Sequence, residues 1–169
     1  MKNIALVLAC ALSIFALSSC ESQQVKKDMV EKSAPVDQAA IEAANKQLAA
    51  LDFAGFNYKD STVPAGTFKT WSAKNLKTIQ AIATALPPVL VIQVTGHADT
   101  KGPELAEGSK PGNVQISSDR AENFRKTLVD NGVPADKLSS KGIGTAETLK
   151  GVAGTSAKQR RVSFKVVPR

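Results

Sequence analysis

The chain has 169 residues, of which 43% are apolar, 22% charged and 5% aromatic, and its formal net charge is +7. This length accommodates one ordinary domain with accessory segments, and the apolar share is sufficient for a packed core. The scarcity of aromatic side chains argues against a nucleic-acid surface that depends on base stacking.

Residues 1–19 are predicted to be a lipoprotein signal peptide. The apolar run from Ile4 to Leu17 suits such a peptide and is shorter than the about 20 residues of a membrane span. It ends in LSSC, which resembles a bacterial lipobox, so Cys20 is expected to carry lipid. Cys10 leaves with the signal peptide, and lipidation accounts for the odd cysteine that remains. An exported basic protein meets acidic cell-envelope polymers rather than nucleic acid.

Residues 20–36 are predicted to be the lipidated N-terminus and a flexible tether, because this stretch is polar and shows no periodicity. Residues 37–55 contain a predicted accessory helix with Asp37 as its N-cap. Its apolar residues Ile41, Ala44, Leu48 and Leu51 follow helical spacing. Packing on the domain and simple extension of the tether are both compatible with this pattern.

Residues 56–169 are predicted to form the main domain. Phe56 and Tyr58 alternate with polar neighbours and predict a short first strand, and Pro87-Pro88 ends the helix that follows. The apolar stripe of that helix consists of Phe68, Trp71, Leu76, Ile79, Ile82 and Leu86. The later predicted elements are a buried strand from Val89 to Thr95, a helix opened by Ser117-Ser118-Asp119 and closed by Asn131-Gly132, a strand from Leu138 to Gly144, and a last strand through Val162, Phe164 and Val166. The predicted fold is an α+β two-layer sandwich in β-α-β-α-β-β order, with a mixed four-stranded sheet and helices on one face.

His97, the single histidine, precedes Asp99 by two residues and raises the possibility of a catalytic or metal site. A zinc or cysteine–histidine site lacks the further ligands it needs, and the sequence contains no GxSxG, GxGxxG or P-loop motif. We therefore expect neither an enzyme nor a metal or other cofactor. His97 is instead expected to be a strand-end histidine that hydrogen-bonds to backbone.

Asp99 and Arg120 are the other candidate functional residues. Asp99 lies where a loop leaves a buried strand, a common position for binding groups. Arg120 falls in the first turn of a predicted helix, where the helix dipole disfavours a cation. The sequence pattern alone supports a binding pair and an ordinary surface ion pair equally, and both side chains are expected to be accessible to solvent.

Several ordered motifs resemble the OmpA-like peptidoglycan-binding domain family. They are VTGHAD with Gly102 behind it, then NVQISSDRA from Asn113 to Ala121, then DNGVPADKLSSKGIGTAE, and finally QRRV from Gln159 to Val162. The resemblance covers roughly residues 56–167. It implies non-covalent binding of the diaminopimelate in the peptidoglycan stem peptide.

The resemblance also implies roles for individual residues. Asp99 would hold the ammonium of the ligand, and Arg120 would hold its carboxylate, to which a guanidinium offers a planar pair of donors. N–H groups at the start of the second helix would add donors for the same anion. Asn113 would bond the ligand or brace the loop, and Arg160 would line the site or remain a solvated charge at a strand start.

The sequence departs from the family pattern at three places. Ala98 replaces the usual Thr or Ser, and Gln159 replaces Asn. Asp99 and Arg120 are about six residues further apart than usual, and the surplus lies within Gly102 to Gly112. A similar insert occurs in outer-membrane lipoproteins that resemble this family. We expect this insert to bulge outward and to leave the site intact.

The sequence therefore predicts an outer-membrane lipoprotein, anchored through Cys20, that binds peptidoglycan and faces the periplasm. The alternative is a surface-exposed, adhesin-like lipoprotein that binds host or other extracellular proteins. Protease accessibility on intact cells distinguishes the two.

Overall fold

The computed structural model describes residues 37–169, which form one compact unit. The predicted signal peptide, the lipidation of Cys20 and the tether lie outside the described residues. The helices are α1 (Gln38–Leu48), α2 (Ala65–Ala85) and α3 (Asn113–Asp130), with short 3-10 turns at Ala135–Lys137 and Ala157–Gln159. The strands are β1 (Phe53–Ala54), β2 (Leu90–Gly96), β3 (Leu138–Gly142) and β4 (Arg161–Pro168). Within residues 37–169 no helix combines the length and the apolar character that crossing a membrane requires.

The four strands form one mixed sheet in the order β1-β4-β2-β3. β2 and β3 are parallel and are joined through α3, since a parallel pair needs a crossover connection. β4 runs antiparallel to both of its neighbours. Its residue Val162 lies between Gly96 of β2 on one side and Phe53 of β1 on the other. The predicted α+β class and mixed four-stranded sheet are confirmed.

Six aromatic side chains form the centre of the core between the sheet and the helices. Their ring centroids lie 4.7 to 6.0 Å apart, in tilted or edge-to-face arrangements. The cluster comprises Phe53, Phe56, Phe68, Trp71, Phe124 and Phe164. The few aromatic residues of this chain therefore serve mainly to fill the interior.

The accessory helix packs on the domain. Asp37 caps α1 as predicted and accepts hydrogen bonds from the N–H groups of Ala39 and Ala40 at 2.9 and 3.3 Å. Leu48 is fully buried in the core. The Asn45 side chain accepts a hydrogen bond from the Val166 N–H at 2.7 Å. α1 thus covers an edge of β4 that the two-residue β1 does not reach.

The first strand lies three residues earlier than predicted. Phe53 and Phe56 are both buried, but Gly55 adopts a φ of +127° between them and turns the chain. Tyr58 is half exposed in the loop that follows. The alternation of Phe56 and Tyr58 therefore does not mark a strand: Phe56 is a core residue and Tyr58 lies in a loop.

The helix predicted from Ser117 begins four residues earlier, at Asn113. The N-cap is Gly112, and no side chain caps this end. The N–H groups of Asn113 and Val114 instead donate to the carbonyls of Pro103 and Glu104 at 2.9 and 3.1 Å. Because backbone carbonyls of the insert cap this end, the sequence contains no capping side chain from which the start of α3 could be predicted.

Candidate binding site

The chain segment that leaves β2 is fixed by backbone hydrogen bonds on both sides. The N–H of His97 donates to Arg161 O, that of Ala98 to Gly144 O and that of Thr100 to Gly154 O, each at 2.9 Å. Asp99 lies in the middle of this segment and is only 2% exposed. The position of its carboxylate is therefore set by the rigid edge of the sheet.

Asp99 forms an ion pair with Arg160. The distance from Arg160 Nη1 to Asp99 Oδ2 is 2.7 Å, and the Lys101 N–H donates to Asp99 Oδ1 at 3.1 Å. Arg160 Nε also donates to Phe56 O at 2.8 Å. Among residues 37–169, Arg160 Nη2 has no protein acceptor.

Arg120 is 1% exposed and holds a loop in place. Its guanidinium donates to three backbone carbonyls, those of Asp60, His97 and Asn57, at 2.9, 3.1 and 3.0 Å. It also lies over the Phe56 ring, 5.3 Å from the centroid. The predicted solvent accessibility of Asp99 and Arg120 is wrong, because both side chains are enclosed by these partners.

Arg120 is the eighth residue of α3, so its predicted place in the first helical turn is also wrong. Burial, followed by the positive charge of Arg160, lowers the pKa of Arg120 to about 10, while Asp99 and Asp60 act in the opposite direction. Arg120 therefore remains a cation at neutral pH. Two arginines and one aspartate form a cluster with a net positive charge.

Asn113 and the first N–H groups of α3 contact the insert. Asn113 Nδ2 makes a long contact of 3.5 Å with Gly102 O and so braces the loop. The first N–H groups of α3 are occupied by the insert, which contradicts their predicted role toward the ligand. The role of Asn113 as a ligand contact stays a prediction.

The insert projects into solvent from two fixed ends. Residues 104–111 are exposed, and Glu107 and Lys110 form a small antiparallel bridge at its tip. The Glu104 carboxylate accepts hydrogen bonds from the backbone N–H and the hydroxyl of Thr145 at 3.0 and 2.7 Å. The insert bulges outward, as expected, and it also clamps the β3–β4 loop.

Sequence reasoning missed the residues that hold the two arginines. The loop from Phe56 to Asp60 offers three backbone carbonyls to them, and no sequence motif marks a carbonyl acceptor. Gln159 enters the sequence analysis only as a departure from the Asn of the family pattern. It is fully buried, and its side chain bonds Leu149 N and Val152 O at 2.9 and 3.1 Å, which fixes the β3–β4 loop.

His97 is fully buried and bonds a side chain rather than the backbone that the sequence predicts. Its Nε2 lies 2.8 Å from Ser163 Oγ, and within residues 37–169 its Nδ1 has no hydrogen-bond partner. Burial, with the nearby Arg161 charge, lowers the pKa of His97 to about 4. A catalytic triad would need a carboxylate on the second ring nitrogen, which the described residues do not place there. The same residues contain no cluster of His, Cys, Asp or Glu side chains suited to a metal ion.

Acidification is expected to destabilise the domain through His97. Its folded-state pKa is lower than its unfolded value, so the unfolded state binds the proton first and stability falls as pH drops from 6.5 to 4. We expect a loss of about 2–3 kcal/mol over this range. Denaturant unfolding at several pH values, followed by the fluorescence of the single Trp71, measures it.

His97→Gln is the comparison variant, and its unfolding free energy should change much less over the same pH range. Asp52, whose pKa burial raises, contributes with the opposite sign near the acid end in both proteins. An equal pH dependence of parent and variant would exclude His97 as the cause.

The mixed sheet and the charged cluster at the end of its central strand define an α+β binding domain. Residues 67–161 match the model of the OmpA family, which is more than half of the chain, and the chain therefore belongs to the OmpA family. This is a structural and binding family rather than an enzymatic one. No curated protein matches the chain significantly in sequence.

Three solved structures illustrate the shared fold. The OmpA-like domain of FopA1 from Francisella tularensis is 22% identical with a TM-score of 0.54, and the likeness covers 69% of this chain and 71% of that one. The peptidoglycan-associated lipoprotein from Burkholderia pseudomallei is 18% identical with a TM-score of 0.53, covering 76% and 99%. The C-terminal domain of Helicobacter pylori MotB is 18% identical with a TM-score of 0.51, covering 70% and 84%.

Proposed function

We propose that this domain binds peptidoglycan non-covalently by recognising the diaminopimelate of the stem peptide. The observation that carries the proposal is the convergence of Asp99, Arg120 and Arg160 at the end of β2. A free amino-acid end is a zwitterion. This cluster provides a carboxylate and the Arg160 guanidinium for it, with the buried charge of Arg120 behind them. The peptidoglycan-associated lipoprotein among the similar structures supports the choice of ligand.

The contacts of the cluster favour a particular assignment of its residues to the charged groups of the ligand. Asp99 would accept from the ligand ammonium, and Arg160 would turn its free Nη2 donors to the ligand carboxylate. Arg120 already donates to three carbonyls, so its main contribution is to fix the loop and to add positive charge. This assignment makes Arg160 the principal carboxylate ligand, whereas the family resemblance gives that part to Arg120.

We further propose that the protein is a lipoprotein of the outer membrane, anchored through Cys20, with the segment before Asp37 as a tether. An anchored binding domain links the membrane to the cell wall. Many copies facing one polymer make the linkage multivalent, so each contact can be weak.

Asp99→Asn is expected to lower the affinity for peptidoglycan by about 10- to 100-fold, because the ligand ammonium loses a charged acceptor in a dry site. The full chain, purified in mild detergent, is co-sedimented with isolated peptidoglycan. Free diaminopimelate should release the bound protein. Nα-acetyl-lysine amide, whose free end carries an ammonium but no carboxylate, should release far less.

Asp130→Asn is the matched control, since it removes the same charge from an exposed position on α3. It should sediment like the parent protein. Undiminished sedimentation of a folded Asp99→Asn variant would refute the assigned site, and failure of the parent to sediment would refute the function.

A further inference from the structure

Two lysines surround an exposed tyrosine near the charged cluster. Tyr58 is 49% exposed. The Nζ atoms of Lys59 and Lys101 lie 5.4 and 5.9 Å from its ring centroid. Lys59 follows β1 and Lys101 follows β2, so two separate loops bring cations to the same ring. We name these three residues the Tyr58 patch.

Hydrogen bonds between backbone and side-chain atoms connect the two loops of the patch to the proposed site. The Lys101 N–H donates to Asp99 Oδ1 at 3.1 Å. Asn57, the residue before Tyr58, accepts from Arg120 Nη2 at 3.0 Å. The patch is therefore held next to the cluster by the same bonds that position Asp99 and Arg120.

The patch combines an unfavourable backbone conformation at Lys59 with two positive charges that have no ion-pair partner among the described residues. Lys59 has a φ of +56° and is the one non-glycine residue among residues 37–169 with a positive φ. This conformation is unfavourable for a lysine and persists only where the surroundings impose it. Neither lysine forms an ion pair within the described part of the chain. Both ammonium groups approach the same ring, so an anion placed beside the ring would be attracted by two positive charges.

We propose that the Tyr58 patch binds a second carboxylate of the stem peptide, the free α-carboxylate of the glutamate residue next to diaminopimelate. This proposal rests on the proposed function of the adjacent cluster. The glutamate is linked through its γ-carboxyl, so its α-carboxylate stays free and lies one residue from the diaminopimelate. The exposed Tyr58 ring offers an apolar face to the peptide, and lysine suits a single carboxylate because it acts as a mobile point charge.

Two synthetic peptides that differ only in this group test the proposal. One is L-Ala-γ-D-Glu-diaminopimelate, and the other carries an amide in place of the glutamate α-carboxylate. The full chain in mild detergent should bind the first peptide about three- to tenfold more tightly, as expected for exposed ion pairs. Added salt should reduce the preference.

The double variant Lys59→Asn, Lys101→Gln should bind both peptides equally, and asparagine is chosen because it tolerates a positive φ. Lys74→Gln with Lys77→Gln removes the same charge from exposed positions on α2 and should keep the preference. Equal binding of both peptides by the parent protein would overturn the proposal, as would a preference that survives in the Lys59/Lys101 variant. Binding of free diaminopimelate is measured separately, and its absence would reject the proposed function itself.

Discussion

Replacement of Arg120 by alanine is expected to lower the free energy of unfolding by about 3–5 kcal/mol. The side chain is 1% exposed and donates to three backbone carbonyls, which would lose a charged donor together. The loop from Phe56 to Asp60 would lose its main attachment to α3. Chemical denaturation followed by Trp71 fluorescence measures the change.

Arg125→Ala is the control for the Arg120 prediction. Arg125 lies on the same helix and pairs with the partly exposed Glu122 at 2.8 Å. Exposed pairs contribute little, so the loss should stay below about 1 kcal/mol. Similar losses in the two variants would show that the three carbonyl contacts do not stabilise the loop. A loss of peptidoglycan binding in Arg120→Ala is informative only under conditions where the variant is shown to be folded.

Gly96→Ala is expected to destabilise the domain by about 3 kcal/mol or more, because overpacking against backbone cannot be relieved by a side-chain rotation. A Cβ at this position would overlap the carbonyl oxygen of Ser117 on α3. Gly142 lies opposite Gly96 on β3, and a Cβ added there would likewise overlap the backbone of Ser118. The two glycines together set the distance between α3 and the parallel strands. Thermal and denaturant unfolding report the effect.

Gly66→Ala is the control, and it should not destabilise the domain. Gly66 lies in the first turn of α2, and an added Cβ there meets no atom within 4 Å. The better helix propensity of alanine should leave stability unchanged or raise it by about 0.5 kcal/mol. If Gly96→Ala is as well tolerated as Gly66→Ala, the close approach of α3 is not a constraint on the fold.

Regular elements with strong apolar patterns could be predicted from the sequence. The stripe that includes Trp71 and Ile79 indicated α2, and the alternation of Val162, Phe164 and Val166 indicated β4. The errors occurred where the backbone, rather than side chains, determines the structure. The turn at Gly55 displaced β1, and carbonyls of the insert lengthened α3 at its start.

The composition of the charged cluster could also be predicted, but its internal bonding could not. The motifs indicated Asp99, Arg120 and Arg160, which the structure places together. Their burial depends on carbonyls of a loop that lies about 60 residues away from Arg120 along the chain. The order of residue types does not show which backbone carbonyls will accept hydrogen bonds. The sequence therefore predicts an accessible Arg120, although the side chain is buried.

If the proposed anchor at Cys20 holds the N-terminus, the packing of α1 has a mechanical consequence. A pulling force that enters at Asp37 acts on α1 before it reaches the sheet. α1 is held by the buried Leu48, by the partly buried Ile41 and Ala44, and by the hydrogen bond from Val166 to Asn45. These are fewer contacts than the sheet has, so α1 should detach before the strands separate. Unwinding its 11 residues would release about 20 Å of chain. The released chain would lengthen the connection to the proposed anchor while the sheet and the Asp99 cluster stay folded.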